Sequence, residues 1–237
     1  LSAQSAGILV NNLNAITIAG AQGMSIDDLA GDAATLYARV IDKTGSMRRF
    51  QRVVIAAGNA QISALKGSKA GDSILMSTWI FNERSTLLHS YVPLDHVIKL
   101  DTNNYDPDGS TALYDATLDA ITSAVAYAQS LRDAGIRVNV VIVIVSDGED
   151  NSSRNSVAKV KTVVQDLLKM ETFTVAFVAF GTEGKTIAAA MGIPPANVLD
   201  EQADAHSIRL ALNTVSKSVI RASQTTIGQQ NSQSFFS

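Results

Sequence analysis

From Leu36 the chain runs Leu-Tyr-Ala-Arg-Val-Ile, a short and largely apolar stretch that passes directly into Asp42-Lys43-Thr44-Gly45-Ser46. Aromatic and β-branched residues favour an extended chain, so this stretch predicts a strand, with Gly45 supplying the break where it turns. Beyond Met47 the apolar spacing changes: Phe50, Val53, Val54, Ala57 and Ile62 fall at helical intervals, predicting a helix over 48–65 that stops at Lys66-Gly67. Residues 72–81 and 85–92 predict two more strands. The short Asn82-Glu83-Arg84 link makes them a hairpin, hence one antiparallel edge strand. The stretch 93–108, rich in Asp, Asn and Pro, reads as loop. A helix over 111–134 follows, with Leu113, Ala116, Leu118, Ile121, Val125 and Ala128 on its buried side and Gly135 as its stop.

The run Val138 to Val145 is continuously apolar, as expected of a central strand covered on both faces. After it come a polar loop at 146–155, a helix at 156–170, a strand at 173–180 and a short helix at 182–191. Gly192-Ile193-Pro194-Pro195 stops that helix, 198–199 reads as a brief last strand, and 207–222 as the closing helix. Alternating strands and helices predict an α/β domain: a doubly wound, mostly parallel sheet with helices on both faces. Residues 34–223 form that domain in this reading. Residues 1–33 are an Ala- and Gly-rich extension in which Leu9, Val10, Leu13, Ile16 and Ile18 form a short helix or pack along the sheet edge. Ser25-Ile26-Asp27-Asp28-Leu29 reads as a capped helical turn, and no chemistry is assigned to the extension. Residues 224–237 are a Gln/Ser/Asn tail expected to be loosely ordered, with Phe235-Phe236 as its one adhesive feature.

Composition narrows the partners. Hydrophobic residues make up 46% of 237 and aromatics only 5%, so the core must rest on Val, Ile, Leu and Ala. A net charge of −3 without any Lys/Arg run argues against nucleic acid. The absence of cysteine removes disulfides, thiolate metal sites and thiol nucleophiles. The longest apolar run is one strand long, well short of the ~20 residues of a membrane span. No signal-peptide pattern is visible. The expected setting is cytoplasmic, with a surface or secreted one left open.

The chemistry sits at predicted strand ends. Asp42, Thr44 and Ser46, two residues apart, occupy a strand-to-helix corner. Asp108-Gly109-Ser110-Thr111-Ala112-Leu113-Tyr114-Asp115-Ala116 is a glycine turn into a long helix, and Asp147 follows the apolar strand in Ser146-Asp147-Gly148-Glu149. Ligands of open parallel sheets collect outside the carboxyl ends of strands, at the switch in strand order. Oxygen-only donors suit a hard divalent cation, Mg²⁺ before Zn²⁺. In this order and at these separations, the Asp-x-Thr-x-Ser, Gly-Ser-Thr-Ala-Leu-Tyr-Asp-Ala and Ser-Asp-Gly-Glu motifs resemble the von Willebrand factor A domain and its metal-ion-dependent adhesion site (MIDAS). The family more often has Ser at the position of Thr44, and the hydroxyl is retained.

The resemblance implies a Rossmann-like fold and a metal site in which Thr44, Ser46 and Thr111 offer hydroxyls. Asp42 and Asp147 would bind the ion directly or through water. Mg²⁺ is the implied ion, with Mn²⁺ or Ca²⁺ as substitutes. Such an ion, under-neutralised by mostly neutral donors, draws in an Asp or Glu carboxylate from a protein partner; it binds and does not cut. Family members without large extra domains resemble bacterial intracellular proteins that work beside AAA+ ATPases, and others act as surface adhesins.

Rival readings weigh less. Asp, Thr and Ser are ordinary helix caps, but capping does not explain oxygen donors at three separate strand ends. Residues 179–186 fit a relaxed phosphate loop ending in Gly184-Lys185-Thr186, which would make the chain a nucleotide hydrolase acting through Lys185. Ala179 replaces its first glycine, the helix after it is barely two turns long, and Asp200 is a poor metal-holding acid. A haloacid-dehalogenase-like phosphotransferase would need an acid two residues after Asp42, where Thr44 stands. His89, His96 and His206 lack metal-like spacing. Asn151-Ser152-Ser153 fits a glycosylation acceptor but needs a secretory context. Glu149 and Asp150 are read as rim. A structural subunit whose metal only stabilises its fold is the remaining alternative.

Overall fold

The computed structural model describes residues 1–29, 31–148, 150–181, 183–225 and 232–237. Strands β1 (Ala33–Asp42), β2 (Ile74–Phe81), β3 (Ser85–Pro93), β4 (Arg137–Ser146), β5 (Phe173–Phe180) and β6 (Val198–Glu201) form one six-stranded sheet in the order 3-2-1-4-5-6. Every neighbouring pair is parallel except β2 with β3, the expected antiparallel hairpin at one edge. The helices are α1 (Ala3–Asn11), α2 (Ala15–Gly20), α3 (Gln51–Lys66), α4 (Leu113–Asp133), α5 (Val157–Leu168), α6 (Gly184–Ala190) and α7 (Ala205–Gln224). The fold is therefore the doubly wound α/β architecture anticipated from the sequence. The chain builds outward from β1 to β2 and β3, then returns to place β4 on the other side of β1. Strand order thus reverses between β1 and β4, and the crevice of such a sheet lies at their carboxyl ends.

Two apolar layers hold the sheet. Along β1, Leu36, Ala38 and Val40 enter one layer with Leu113, Leu118 and Ile121 of α4 and Val160, Val163 and Val164 of α5. Tyr37 and Ile41 enter the other with Val54 and Ile62 of α3 and Ile208, Leu212 and Val215 of α7. Side chains alternate along a strand, so each central strand must be apolar on both sides. Removing such a side chain from water is worth about 1.5–3 kcal/mol. A charged break in the pattern is Arg39, fully buried in β1. It donates to the Gly58 carbonyl at 2.8 Å and to Thr78 Oγ1 at 3.3 Å, and burial lowers its pKa to about 10. Gly58 leaves the room: a Cβ there would lie 3.2 Å from the guanidinium.

Three details refine the sequence expectations. The extension forms two helices, α1 packed on α5 and α4 and α2 packed on α4 and on the edge strand β3, so a helix and packing along the sheet edge occur together. Asn12 and Asn14 donate to Asp119 of α4, Tyr127 donates to the Met24 carbonyl, and Ser2 and Ser5 donate to Asp166 of α5. At Ile26–Asp28 there is a single 3₁₀ turn, and Ser25 makes no side-chain cap. After β1 the chain enters a 3₁₀ turn, Gly45–Phe50, before α3 begins, and Gly45 has no positive φ. A short helical turn, not a glycine kink, redirects the strand.

The tail expectation is also corrected where the tail is described. Residues 226–231 lie outside the described residues, but 232–237 are docked. The Asn197 amide donates to the Ser232 carbonyl at 2.7 Å and its oxygen accepts from Phe235 N–H at 2.8 Å. Arg221 of α7 donates to the carbonyls of Phe235 and Ser237. Phe235 is 4% exposed and joins the α3/α7 layer. Composition marks this segment as polar, while one buried aromatic and these four satisfied backbone groups order it. Phe235→Ala should lower unfolding stability by roughly 3 kcal/mol, read as a shift in the urea midpoint; a loosely ordered tail would give no change.

Candidate metal centre

The register of β1 and β4 aligns Ile41 with Val145 and so sets Asp42 beside Ser146. Both lie on the α4 side of the sheet, continuing Val40 and Ile144. Asp42 has no exposed surface, Thr44 is 1% exposed and Thr111 4%. Ser46 is exposed and Asp147 half-buried, so the corner opens to solvent through these two. Ser146 Oγ donates to Asp42 Oδ2 at 2.6 Å, Thr44 N–H donates to Asp42 Oδ1 at 2.8 Å, and the Thr44 and Ser46 hydroxyls are 3.0 Å apart. Burial pushes the Asp42 carboxyl up to about 6; the hydrogen bonds from Ser146 and Thr44 oppose the rise and the charge of Asp147 adds to it. Tyr105 hydroxyl donates to the Asp42 carbonyl at 2.7 Å. Burial, then the charges of Asp42 and Asp147, hold the Tyr105 pKa well above its ordinary value. The two carboxylates therefore act on the same buried surroundings.

Thr111 reaches this corner through a loop tied on both sides. Gly45 N–H donates to the Gly109 carbonyl at 3.1 Å, and Asp108 N–H to the Lys43 carbonyl at 2.8 Å. From the hairpin, Glu83 Oε1 accepts from Ser110 N–H at 3.0 Å, and the Asn82 carbonyl accepts from Ala112 N–H at 2.8 Å. Gly109 has φ +79°, and a Cβ there would meet Glu83 Oε1 at 2.2 Å. Its positive φ favours glycine, and the Glu83 carboxylate takes the space a side chain would fill.

The three strand-end segments that carry the five predicted site residues are thus brought together by these bonds and by the β1–β4 pairing. Among the described residues, no group of three or more His, Cys, Asp or Glu side chains is placed to hold a metal. An ion here would rest on two carboxylates and three hydroxyls. One observation tests that fit. Asp147 Oδ1 is buried and has no hydrogen-bond partner, whereas buried polar atoms are nearly always partnered. A lone carboxylate oxygen beside a second buried carboxylate is what a cation would satisfy, and the all-oxygen donor set suits a hard one.

Three neighbours of the site are not legible in the sequence. Ser146 stands there only as part of a motif, and its role needs the β1–β4 register. Tyr105 stands in a segment whose composition is that of a loop. Asn151, read as a glycosylation acceptor, turns its side-chain oxygen to Thr111 N–H at 2.8 Å. Of the predicted rim, Asp150 accepts from Tyr114 N–H at 3.3 Å, and Glu149 lies outside the described residues.

The rival loop has different surroundings. Ala179 and Phe180 belong to β5, α6 is seven residues long, and Thr182 lies outside the described residues. Lys185 Nζ pairs with Asp200 Oδ2 at 3.1 Å. At Gly184 a Cβ would come within 1.9 Å of the Ala179 Cβ, so this glycine serves helix-on-strand packing. The histidines stand on β3, in the 3₁₀ turn Leu94–His96 and on α7.

No family model matches the sequence, and a search of curated proteins finds no match. Solved structures do match in fold. The pilus adhesin SpaC from Lactobacillus rhamnosus GG superposes with a TM-score of 0.62 at 11% identity, over 80% of this chain and 30% of that one. Proximal thread matrix protein 1 from the mussel byssus, in a structure with a zinc-occupied MIDAS motif, gives 0.54 at 16%, over 80% and 46%. A von Willebrand factor type A protein from Catenulispora acidiphila gives 0.50 at 15%, over 79% and 43%. The fold of this chain is that of von Willebrand factor A-like domains. The chain spans less than half of each of these proteins. No described helix is long and apolar enough to cross a membrane.

The Lys185–Asp200 pair predicts that Lys185→Ala changes stability by less than about 1 kcal/mol, as for other exposed ion pairs. Purified protein should show no nucleotide turnover above background. Hydrolysis lost in Lys185→Ala yet kept in Asp42→Ala would establish the phosphate-loop reading instead.

Proposed function

We propose that the chain is a non-catalytic, metal-dependent protein-binding module. Asp42, Thr44, Ser46, Thr111 and Asp147 hold Mg²⁺, for which Mn²⁺ or Ca²⁺ can substitute, and a partner's Asp or Glu carboxylate occupies the open side of the ion. The observation that carries the reading is the unpartnered, buried Asp147 Oδ1 beside the fully buried Asp42. When bound, the cation supplies the positive charge this pair lacks and an electrophilic point for a third carboxylate. The chain's own groups do the rest. Ser146 and Thr44 N–H occupy both Asp42 oxygens and so hold the carboxylate in one orientation. The exposed Ser46 and half-buried Asp147 leave the corner accessible to a partner. Beside it runs a polar cleft of about 530 Å³, lined by Asn12, Asn14, Glu83, Arg84, Ser152 and Arg154 among others, which gives residues flanking the partner's acid a surface to meet.

The fold shared with an adhesin and a matrix protein is in keeping with binding. The setting is drawn from the resemblance alone: a cytoplasmic adaptor whose first candidate partner is an AAA+ ATPase. A purely structural metal is the reading to be separated from this one.

Titration calorimetry on chelator-stripped protein should show one Mn²⁺ or Mg²⁺ site, abolished in Asp147→Ala and weakened in Thr111→Ala. With chelator in every sample the variants should unfold near the wild type, because bound metal by itself raises apparent stability. Proteins retained on the immobilised chain in Mg²⁺ should be released by chelator and missed by both variants. Absence of uptake by the wild type would refute the metal site. Uptake with retention insensitive to chelator would make the metal structural.

A further inference from the structure

Helix α4 begins without a cap of its own: Ala112 stands at the N-cap position and offers no side-chain acceptor. The first N–H groups of a helix have no partner inside it. Here the loop that follows Asp147 supplies them. Ser153 Oγ accepts from Tyr114 N–H at 3.1 Å and from Asp115 N–H at 3.2 Å. The Asp115 carboxylate answers by accepting from the N–H groups of Arg154 and Asn155, each at 2.9 Å. One turn earlier the pairing closes on Thr111 itself. Asn151 Oδ1 accepts from Thr111 N–H at 2.8 Å, and the Thr111 carbonyl accepts from Asn151 N–H and Ser152 N–H at 3.0 Å each. Thr111 is thus held through both of its backbone polar groups by the segment that starts just beyond Asp147.

Building on the metal-binding reading above, we propose that Asn151 is a positioning residue of the metal centre: its side-chain oxygen fixes the backbone of Thr111 and thereby the place of the Thr111 hydroxyl. Ser153 and Asp115 serve the helix, whereas the Asn151 side chain bonds to the one residue in this clasp whose hydroxyl faces the ion in that reading. The bond links donors that are distant in sequence, so the segment bearing Asp147 and the segment bearing Thr111 keep one spacing. Groups that orient the ligands of a metal commonly change affinity by about 10–100-fold when removed.

The test uses the full chain and Mn²⁺ alone as probe. Asn151→Ala should weaken Mn²⁺ binding by about tenfold or more, and in chelator it should lose the exchange protection of the Thr111 amide while the core amides of β1 and β4 keep theirs. Asn151→Ser, with a side chain too short to span the gap, carries the same expectation should the alanine variant fold poorly. Asn151→Asp retains an acceptor and should restore both affinity and Thr111 protection. That recovery should persist in high salt, where the attraction of an added exposed charge is screened. Wild-type affinity in Asn151→Ala or Asn151→Ser, or no recovery in Asn151→Asp, would overturn the proposal while leaving the metal site intact. Absence of Mn²⁺ uptake by the wild type would overturn both.

Discussion

A carboxylate with no exposed surface is costly unless its surroundings compensate it, and the structure turns on this constraint at Asp42. The group sits at the end of a strand that is apolar on both faces, one residue beyond Ile41. Compensation is partial. Ser146 and the Thr44 amide reach its two oxygens, yet burial and the neighbouring Asp147 still raise its pKa to about 6. Asp147 brings a second negative group with one buried oxygen unpaired. The corner therefore carries an excess of negative charge that nothing in the described chain neutralises. A bound cation would offset that excess.

The sheet topology concentrates the chemistry at this end. Reversal of strand order between β1 and β4 leaves their carboxyl ends without a covering crossover, so the connecting loops can converge there. Each loop is then tied to another. The 108–112 segment is bonded to the exit of β1 and to the β2–β3 hairpin. The 150–155 segment is bonded to the start of α4. The candidate donors stand on loops, but on loops bonded to one another and to the helix start. A preformed site loses less entropy on taking up an ion than one that must be ordered first.

The additions at the two termini serve the layers. On one face, α4 and α5 cover the sheet, α1 lies over them, and α2 packs on α4 and on the edge strand β3. Gly20 comes so close to Trp79 that a Cβ would fall 2.5 Å from its ring. On the other face α3 and α7 cover the strands together with Leu94, Val97, Leu100 and Tyr105, and Phe235 from the last residues enters that layer. Arg39 belongs to the same face, where a helix glycine makes room for it.

How much of this was legible beforehand follows from the range of each interaction. The strands and helices were readable because their signals are local: continuous apolar runs for β1 and β4, helical spacing for α3 and α4, turn residues between β2 and β3. The five candidate donors were readable because their motifs also lie within a few residues of one another, or just after a recognisable strand. Ser146 acquired its role only when β4 paired in register beside β1, 104 residues away along the chain from its partner Asp42. The same holds for Tyr105 against the Asp42 carbonyl, for Asn151 against Thr111, and for the last six residues against Asn197. Local sequence determined which elements form and where oxygen donors are available. Tertiary structure alone decided which polar groups face one another, because a hydrogen bond depends on separation in space and not on separation along the chain.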